Sequence, residues 1–218
     1  MRSIFLAAML LGAGMLAGCQ SNVPVTAPSI SPTDLATQNK TAGKYAVYIQ
    51  TGGWQKDVDT DAFTCSAWTF PTDFENGYVT SAQGAFRESF QEVKFVPGTL
   101  NPADLAAQGF DGQIIVYQGA MDAKFGITPG FWTNTPNAQV AFHGIVAVVG
   151  PDGLSGQSNV KGEGAGQTTG SCFDIDDAIA AAGTNAMKSF IVNAVNTSKL
   201  NVLEMRAKGA EQAKSPTS

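Results

Sequence analysis

Between residues 44 and 206 the apolar residues keep two different periods, and the order in which these alternate restricts the fold most. A period of two marks a strand with one buried face, and a period near 3.6 marks a helix with one apolar stripe. Tyr45, Val47 and Ile49 alternate with Ala46, Tyr48 and Gln50, a strand closed by Gly52-Gly53. A second strand is expected over residues 62–70, stopped by Pro71. From about Asn76 the period changes. Tyr78, Val79, Ala82, Ala85, Phe86, Phe90 and Val93 share one helical face, opposite Gln83, Arg87, Glu88 and Gln91. Lys94-Phe95-Val96 reads as a short strand before Pro97-Gly98. Asn101-Pro102-Ala103-Asp104 then supplies an N-cap, a first-turn proline and an acid, and Gly109 the C-cap of a short helix.

A long strand begins at Gln113, with Ile115, Tyr117, Met121 and Phe125 expected on one face. A loop over 128–137 leads to a strand through Val140, Phe142, Val146 and Val148. Pro151-Asp152-Gly153 is a turn, and a Gly-rich strand returns over 154–168. The last element is a helix from about Asp174 into the 190s. Asp176 and Asp177 complement its dipole, and Ile175, Ile179, Ala182, Ala186 and Phe190 form its stripe. The fold class expected is α+β, a mainly antiparallel sheet with two amphipathic helices packed on one face. Ile114, Val116, Ile145 and Ala147 then fall on the face away from the helices, where a loop or partner would cover them.

The amino terminus sets location. Arg2 precedes an apolar run over residues 4–17, shorter than the roughly 20 residues that span a bilayer, so it reads as a secretory signal. Leu16-Ala17-Gly18-Cys19 resembles the lipobox of bacterial lipoproteins. That resemblance implies a thioether lipid on Cys19, cleavage before it and acylation of the new terminus; the alternative is an ordinary signal whose mature chain begins with a free cysteine. More than one acyl chain would make the anchor stable. Gln20 rather than an aspartate implies, by likeness to enterobacterial sorting, the outer membrane, with the domain facing the periplasm. The organisation expected is a signal peptide at 1–18, a lipidated flexible tether at 19–43 with Pro24, Pro28 and Pro32, one domain at 44–206 and a disordered tail at 207–218. Such a tether reaches roughly 25 Å as a coil and up to ~60 Å stretched.

The formal net charge of −5 argues against nucleic acid and against a basic patch for acidic lipid. Cys65 and Cys172 carry no metal-ligand spacing; in an oxidising compartment they are expected to pair, the alternative being two separate buried thiols. His143 is the one histidine and is expected half-exposed on the sheet face opposite Phe142 and Val146. The run Gly162-Glu163-Gly164-Ala165-Gly166 lacks the lysine of a phosphate loop and belongs instead to an edge or bulged strand that another backbone approaches. Asp57, Asp59 and Asp61 lack the glycine and final acid of a calcium loop and read as a solvated turn. No catalytic constellation, metal site or cofactor is implied. Phe131 and Trp132, at the tip of a Pro/Gly-framed loop, either anchor a partner protein, a glycan or the membrane surface, or fold back onto the core.

The segment Asp104-Leu105-Ala106-Ala107-Gln108-Gly109-Phe110-Asp111 leading into Gln113-Ile114-Ile115-Val116, the turn at Pro151-Asp152-Gly153 and the closing helix resemble small α/β envelope lipoproteins. These include the lipopolysaccharide-assembly lipoprotein and proteins like the amino-terminal domain of the TolB translocation protein. The resemblance implies a non-enzymatic accessory or assembly partner of a cell-envelope complex. The other reading is a glycan- or peptidoglycan-binding lipoprotein module using Trp132, Phe131 and Trp54 as stacking platforms.

Overall fold

The chain places its first long strand in the middle of a sheet and returns to either side of it. A computed structural model describes residues 19–35, 39–59, 65, 68–130, 134–153 and 155–214. The strands are β1 (Cys19–Gln20), β2 (Thr41–Ile49), β3 (Gln55–Asp59), β4 (Trp68–Asp73), β5 (Phe90–Phe95), β6 (Gly112–Pro129), β7 (Asn134–Val149) and β8 (Ser155–Gln167). The α-helices are α1 (Glu75–Ser89), α2 (Pro102–Ala107) and α3 (Ile175–Lys214). The main sheet runs β5-β2-β6-β7-β8. β2 is parallel to both neighbours because helical crossovers separate it from them, whereas β6, β7 and β8 follow one another through short turns as antiparallel ladders. This is the α+β class expected, with two parallel pairs in the main sheet beside its antiparallel ladders. Among the described residues, no helix is long and apolar enough to cross a membrane.

α1 and α3 cover one face of the sheet. Trp54 sits at the centre of that core, fully buried. Its ring lies 4.6 Å from Tyr78, 4.8 Å from Phe190 and 4.3 Å from Phe142, and its indole N–H donates to the Gly119 carbonyl at 3.2 Å. At the sheet edge the glycine run of β8 faces α3. A Cβ at Gly162, Gly164 or Gly166 would overlap backbone atoms of α3 at Ala178, Ala182, Ala186 and Phe190. Missing side chains on the strand and alanines on the helix let the two backbones touch. Asn185 and Asn193 of α3 donate to the carbonyls of Ala165 (3.1 Å) and Lys161 (2.7 Å). Eight helical residues rise about 12 Å and four strand residues about 13 Å, so the two spacings keep step.

Several elements differ from the sequence reading. Of the strand expected at 62–70, residues 68–70 open β4, while 62–64, 66 and 67 lie outside the described residues. Pro71 does not stop it: Pro71 stands opposite Asp57 while its carbonyl accepts the Val23 N–H at 3.3 Å. β3, which carries Asp57 and Asp59, stands where a solvated turn was expected, and Asp61 lies outside the described residues. α1 ends at Ser89, because Phe90 turns to extended geometry and pairs in β5, where its ring packs 5.3 Å from Tyr45. α3 runs to Lys214, through positions read as a disordered tail from 207; residues 215–218 lie outside the described residues.

The largest difference is at the start. Sequence pattern alone leaves 19–43 as a free tether, yet β2 already begins at Thr41 and residues 19–35 lie along the domain as a strap. β1 pairs with β4, and the Ser21 N–H donates to the Thr69 carbonyl at 3.4 Å. Ser21 Oγ donates to Asp176 at 2.7 Å, Ser81 Oγ to the Pro28 carbonyl at 2.8 Å, and Lys188 pairs with Asp34 at 2.9 Å. Val23, Pro28 and Leu35 are its buried residues. The strap therefore rests on α1 and α3, across the helices from the sheet.

Candidate functional site

The far face of the sheet is covered at one end only. Leu105 and Phe110, from α2 and the turn after it, pack on Ala46 with Val96, Leu100 and Val149 around them. Asn101 caps α2 by accepting the Asp104 N–H at 2.8 Å, and Gly109 follows at φ 66°, as expected. Buried Gln113 clamps the preceding loop, accepting from Leu100 N at 2.7 Å and donating to the Gly98 carbonyl at 2.9 Å. Beyond α2, no helix among the described residues lies over the face of β6, β7 and β8. Ile145 and Ala147 lie there half-buried, as expected. Ile114 and Val116 do not: both are core residues beneath the helices.

A bulge explains that correction. Gln118 pairs with Gly144 and Met121 with Phe142, so Gly119 and Ala120 together stand opposite the single residue His143. One extra residue inverts the pleat. Ile115 and Tyr117 precede it on the open face, whereas Met121 and Phe125 follow it on the helix face, although all four have odd numbers. A Cβ on Gly119 would lie 3.0 Å from the His143 carbonyl oxygen, closer than ordinary van der Waals contact. The bulge is held from the helix side. Gln118 accepts from Gly53 N at 2.8 Å and donates to Glu75 at 3.0 Å, and Glu75 accepts from Trp54 N at 2.8 Å. Glu75 is buried, and these bonds replace the water its carboxylate has lost. Burial, and secondarily the Glu75 charge, holds the Tyr78 hydroxyl protonated well above the usual phenol range.

The inversion brings Asp122 onto the same face as His143. Asp122 Oδ2 lies 3.2 Å from His143 Nε2, and on the next strand Lys161 pairs with Glu163. Hydrogen bonding from the Lys161 ammonium, then its charge, holds the Glu163 carboxyl below the usual range. Lys124 and Gln139 complete the rim of a cleft of about 540 Å³ whose floor is Ala141 and Ala165. No hydroxyl or thiol lines it, and among the described residues no group of three or more His, Cys, Asp or Glu could hold a metal ion. The cleft offers both hydrogen-bond donors and acceptors around two alanine methyls.

The other expected site residues lie elsewhere. Cys19 heads β1, opposite Trp68. Cys65 and Cys172 form a disulfide with a Cα separation of 5.8 Å, joining the segment before β4 to the turn that opens α3. Phe131 and Trp132 lie outside the described residues, between Gly130 and Asn134 at the β6–β7 tip. Trp54 is a core residue, so it is not a stacking platform. The glycine run packs on α3, the close backbone approach expected of it. Sequence reasoning missed the bulge and the Glu75–Gln118 bonds. The only signal was Gly119-Ala120, two small residues in a row where the alternation should place a side chain to hold each face.

No protein family matches this chain, and no curated protein matches it. Protein XCC0632 from Xanthomonas campestris, of the family DUF330, is similar in structure at a TM-score of 0.49 and 9% identity, over 87% of this chain and 99% of that one. The PelC dodecamer from Paraburkholderia phytofirmans is similar at a TM-score of 0.29 and 14% identity, over 77% and 93% of the two chains. A single-residue variant of that dodecamer gives a TM-score of 0.31 and 12% identity, over 77% and 95%. At these values nothing about this chain's activity follows from the likeness.

Proposed function

We propose that this chain is a non-enzymatic, lipid-anchored outer-membrane protein that offers the open face of β6, β7 and β8 to a partner of the cell envelope. The observation that carries the reading is the layering. The strap that begins at Cys19 lies on α1 and α3, those helices lie on the sheet, and the open face lies on the side opposite the strap. A lipid on Cys19 and a partner on the open face would therefore not compete for the same surface. The lipobox-like Leu16-Ala17-Gly18-Cys19 supports the anchor, and the mixture of half-buried Tyr117 and Ile145 with the charged cleft supports a partner.

The anchor is tested by mass spectrometry of the mature amino terminus and by membrane fractionation of the Cys19→Ser chain. The expected result is a lipid-modified Cys19 and release of the variant from the membrane fraction. The docking face is tested by affinity capture from solubilised membranes with wild type and Lys161→Glu. Recovery of an envelope protein that the variant loses supports the reading. Equal recovery by both chains would place the contact on another surface.

A further inference from the structure

The cleft around Ala141 has an internal order that the proposed docking role does not require. Register places Asp122 and Glu163 on either side of Ala141, His143 and Lys161 side by side on one flank, and Lys124 and Gln139 side by side on the other. Six hydrogen-bonding side chains thus encircle one methyl group. The ring spans two strand spacings, about 9.5 Å, by four residues of β7, about 13 Å. Its one departure from regular pairing is the bulge opposite His143, which brings Asp122 into the ring. Such bulges re-aim side chains at functional sites.

We infer that this ring is a binding site for a neutral saccharide unit. Three features select that class. Asp122 and Glu163 balance Lys124 and Lys161 in sign, and both carboxylates already have a cationic or imidazole neighbour. A cationic ligand would have to break one of those pairs and an anionic one would meet Asp122 beside Lys124 and Glu163 beside Lys161, whereas a neutral one faces no net charge. The rim holds acceptors at Asp122 and Glu163, donors at Lys124 and Lys161 and both at Gln139, and each hydroxyl of a pyranose both donates and accepts. The Ala141 and Ala165 methyls form a flat apolar floor that suits the C–H face of a sugar ring. A predominantly apolar ligand would strand the rim groups without partners. The site uses the open face but is independent of the lipid anchor and of any protein partner.

The test is an amide NMR titration of the chain from residue 19 with Cys19→Ser, which keeps the whole described domain. The probes are methyl β-glucoside and N,N′-diacetylchitobiose, with glucose 6-phosphate and glucosamine as charged controls. The expected result is salt-insensitive, millimolar binding of the neutral probes, with shifts at Gln139, Ala141, His143 and Lys161. Ala141→Leu, which fills the floor from the open side, should abolish it with the remaining spectrum unchanged. Asp122→Asn should weaken it at least about tenfold, and it serves as the second variant if Ala141→Leu does not fold. Absence of shifts, shifts confined to Gly130 and Asn134 at the hairpin tip, or binding only of the charged probes would each overturn the inference. Because no membrane or lysate is involved, this outcome is separable from that of the capture experiment.

Discussion

α3 makes two contacts of opposite character. Toward β8 it meets glycines, its own alanines touch the strand backbone, and Asn185 and Asn193 reach past the edge to strand carbonyls. Toward the strap it offers single points, Asp176 to Ser21 and Lys188 to Asp34, while the strap's other bonds go to α1 and to β4. The first contact is backbone against backbone and has no slack. The second is a few side-chain bonds, three buried residues and a short main-chain ladder to β4, holding a segment that also loses chain entropy on docking. The seam thus acts as the rigid back of the open face, and the strap as a releasable link to whatever holds Cys19.

The largest effect expected is on the pin between these regions. Cys65 and Cys172 are 107 residues apart, and removing the bridge with Cys65→Ser/Cys172→Ser should cost about 4 kcal/mol in urea unfolding. Next comes the seam itself. Gly164→Val would drive a side chain into the Ala182 carbonyl and the Ala186 nitrogen, helix backbone that cannot step aside. A loss of about 3 kcal/mol is expected by the same measurement, and a neutral outcome would mean that α3 does not press on β8.

What could be read in advance divides along the same line. The seam was legible, because Gly162, Gly164 and Gly166 on a strand have few explanations besides close approach, and the stripe of Ile179, Ala182, Ala186 and Phe190 marks the helix that approaches. The cap at Asn101 and the pairing of Cys65 with Cys172 were legible for similar local reasons. The strap was not, since Val23 and Leu35 are isolated apolar residues among prolines and show no period. The end of α3 was missed because Ala207, Lys208, Ala210, Glu211 and Gln212 carry no apolar stripe, although their helix propensity is high. Of the candidate site, His143 was placed on the correct face. Its neighbour Asp122 was not, because a single-residue bulge changes the face of every later residue without leaving a periodic trace.

Smaller effects sharpen the contrast. Asn193→Ala removes the 2.7 Å bond to the Lys161 carbonyl and should cost about 1 kcal/mol, with faster amide exchange limited to β8. On the strap side, Gly77→Leu would put a side chain where the Ala27 backbone lies 3.3 Å from a Cβ. Proteolysis within 19–35 should become rapid while the unfolding midpoint stays unchanged. A common loss of both would merge strap and core into one cooperative unit. The strap should also respond to acid. The Ser31 backbone N–H first, then Lys188 and the Ser31 hydroxyl, lower the Asp34 carboxyl from 3.8 to about 2. A folded-state value below the unfolded one favours docking above the unfolded value and withdraws that support as pH falls from about 4 to about 2. Amide exchange in the strap should rise over that range, and Asp34→Asn should remove the pH dependence.

The open face as docking surface is tested most directly by a photo-crosslinking residue placed singly at Ala141, on that face, and at Lys56, on β3, in intact cells. The account predicts a discrete adduct with an envelope protein at Ala141 and none at Lys56. An adduct at Lys56 with none at Ala141 would contradict it.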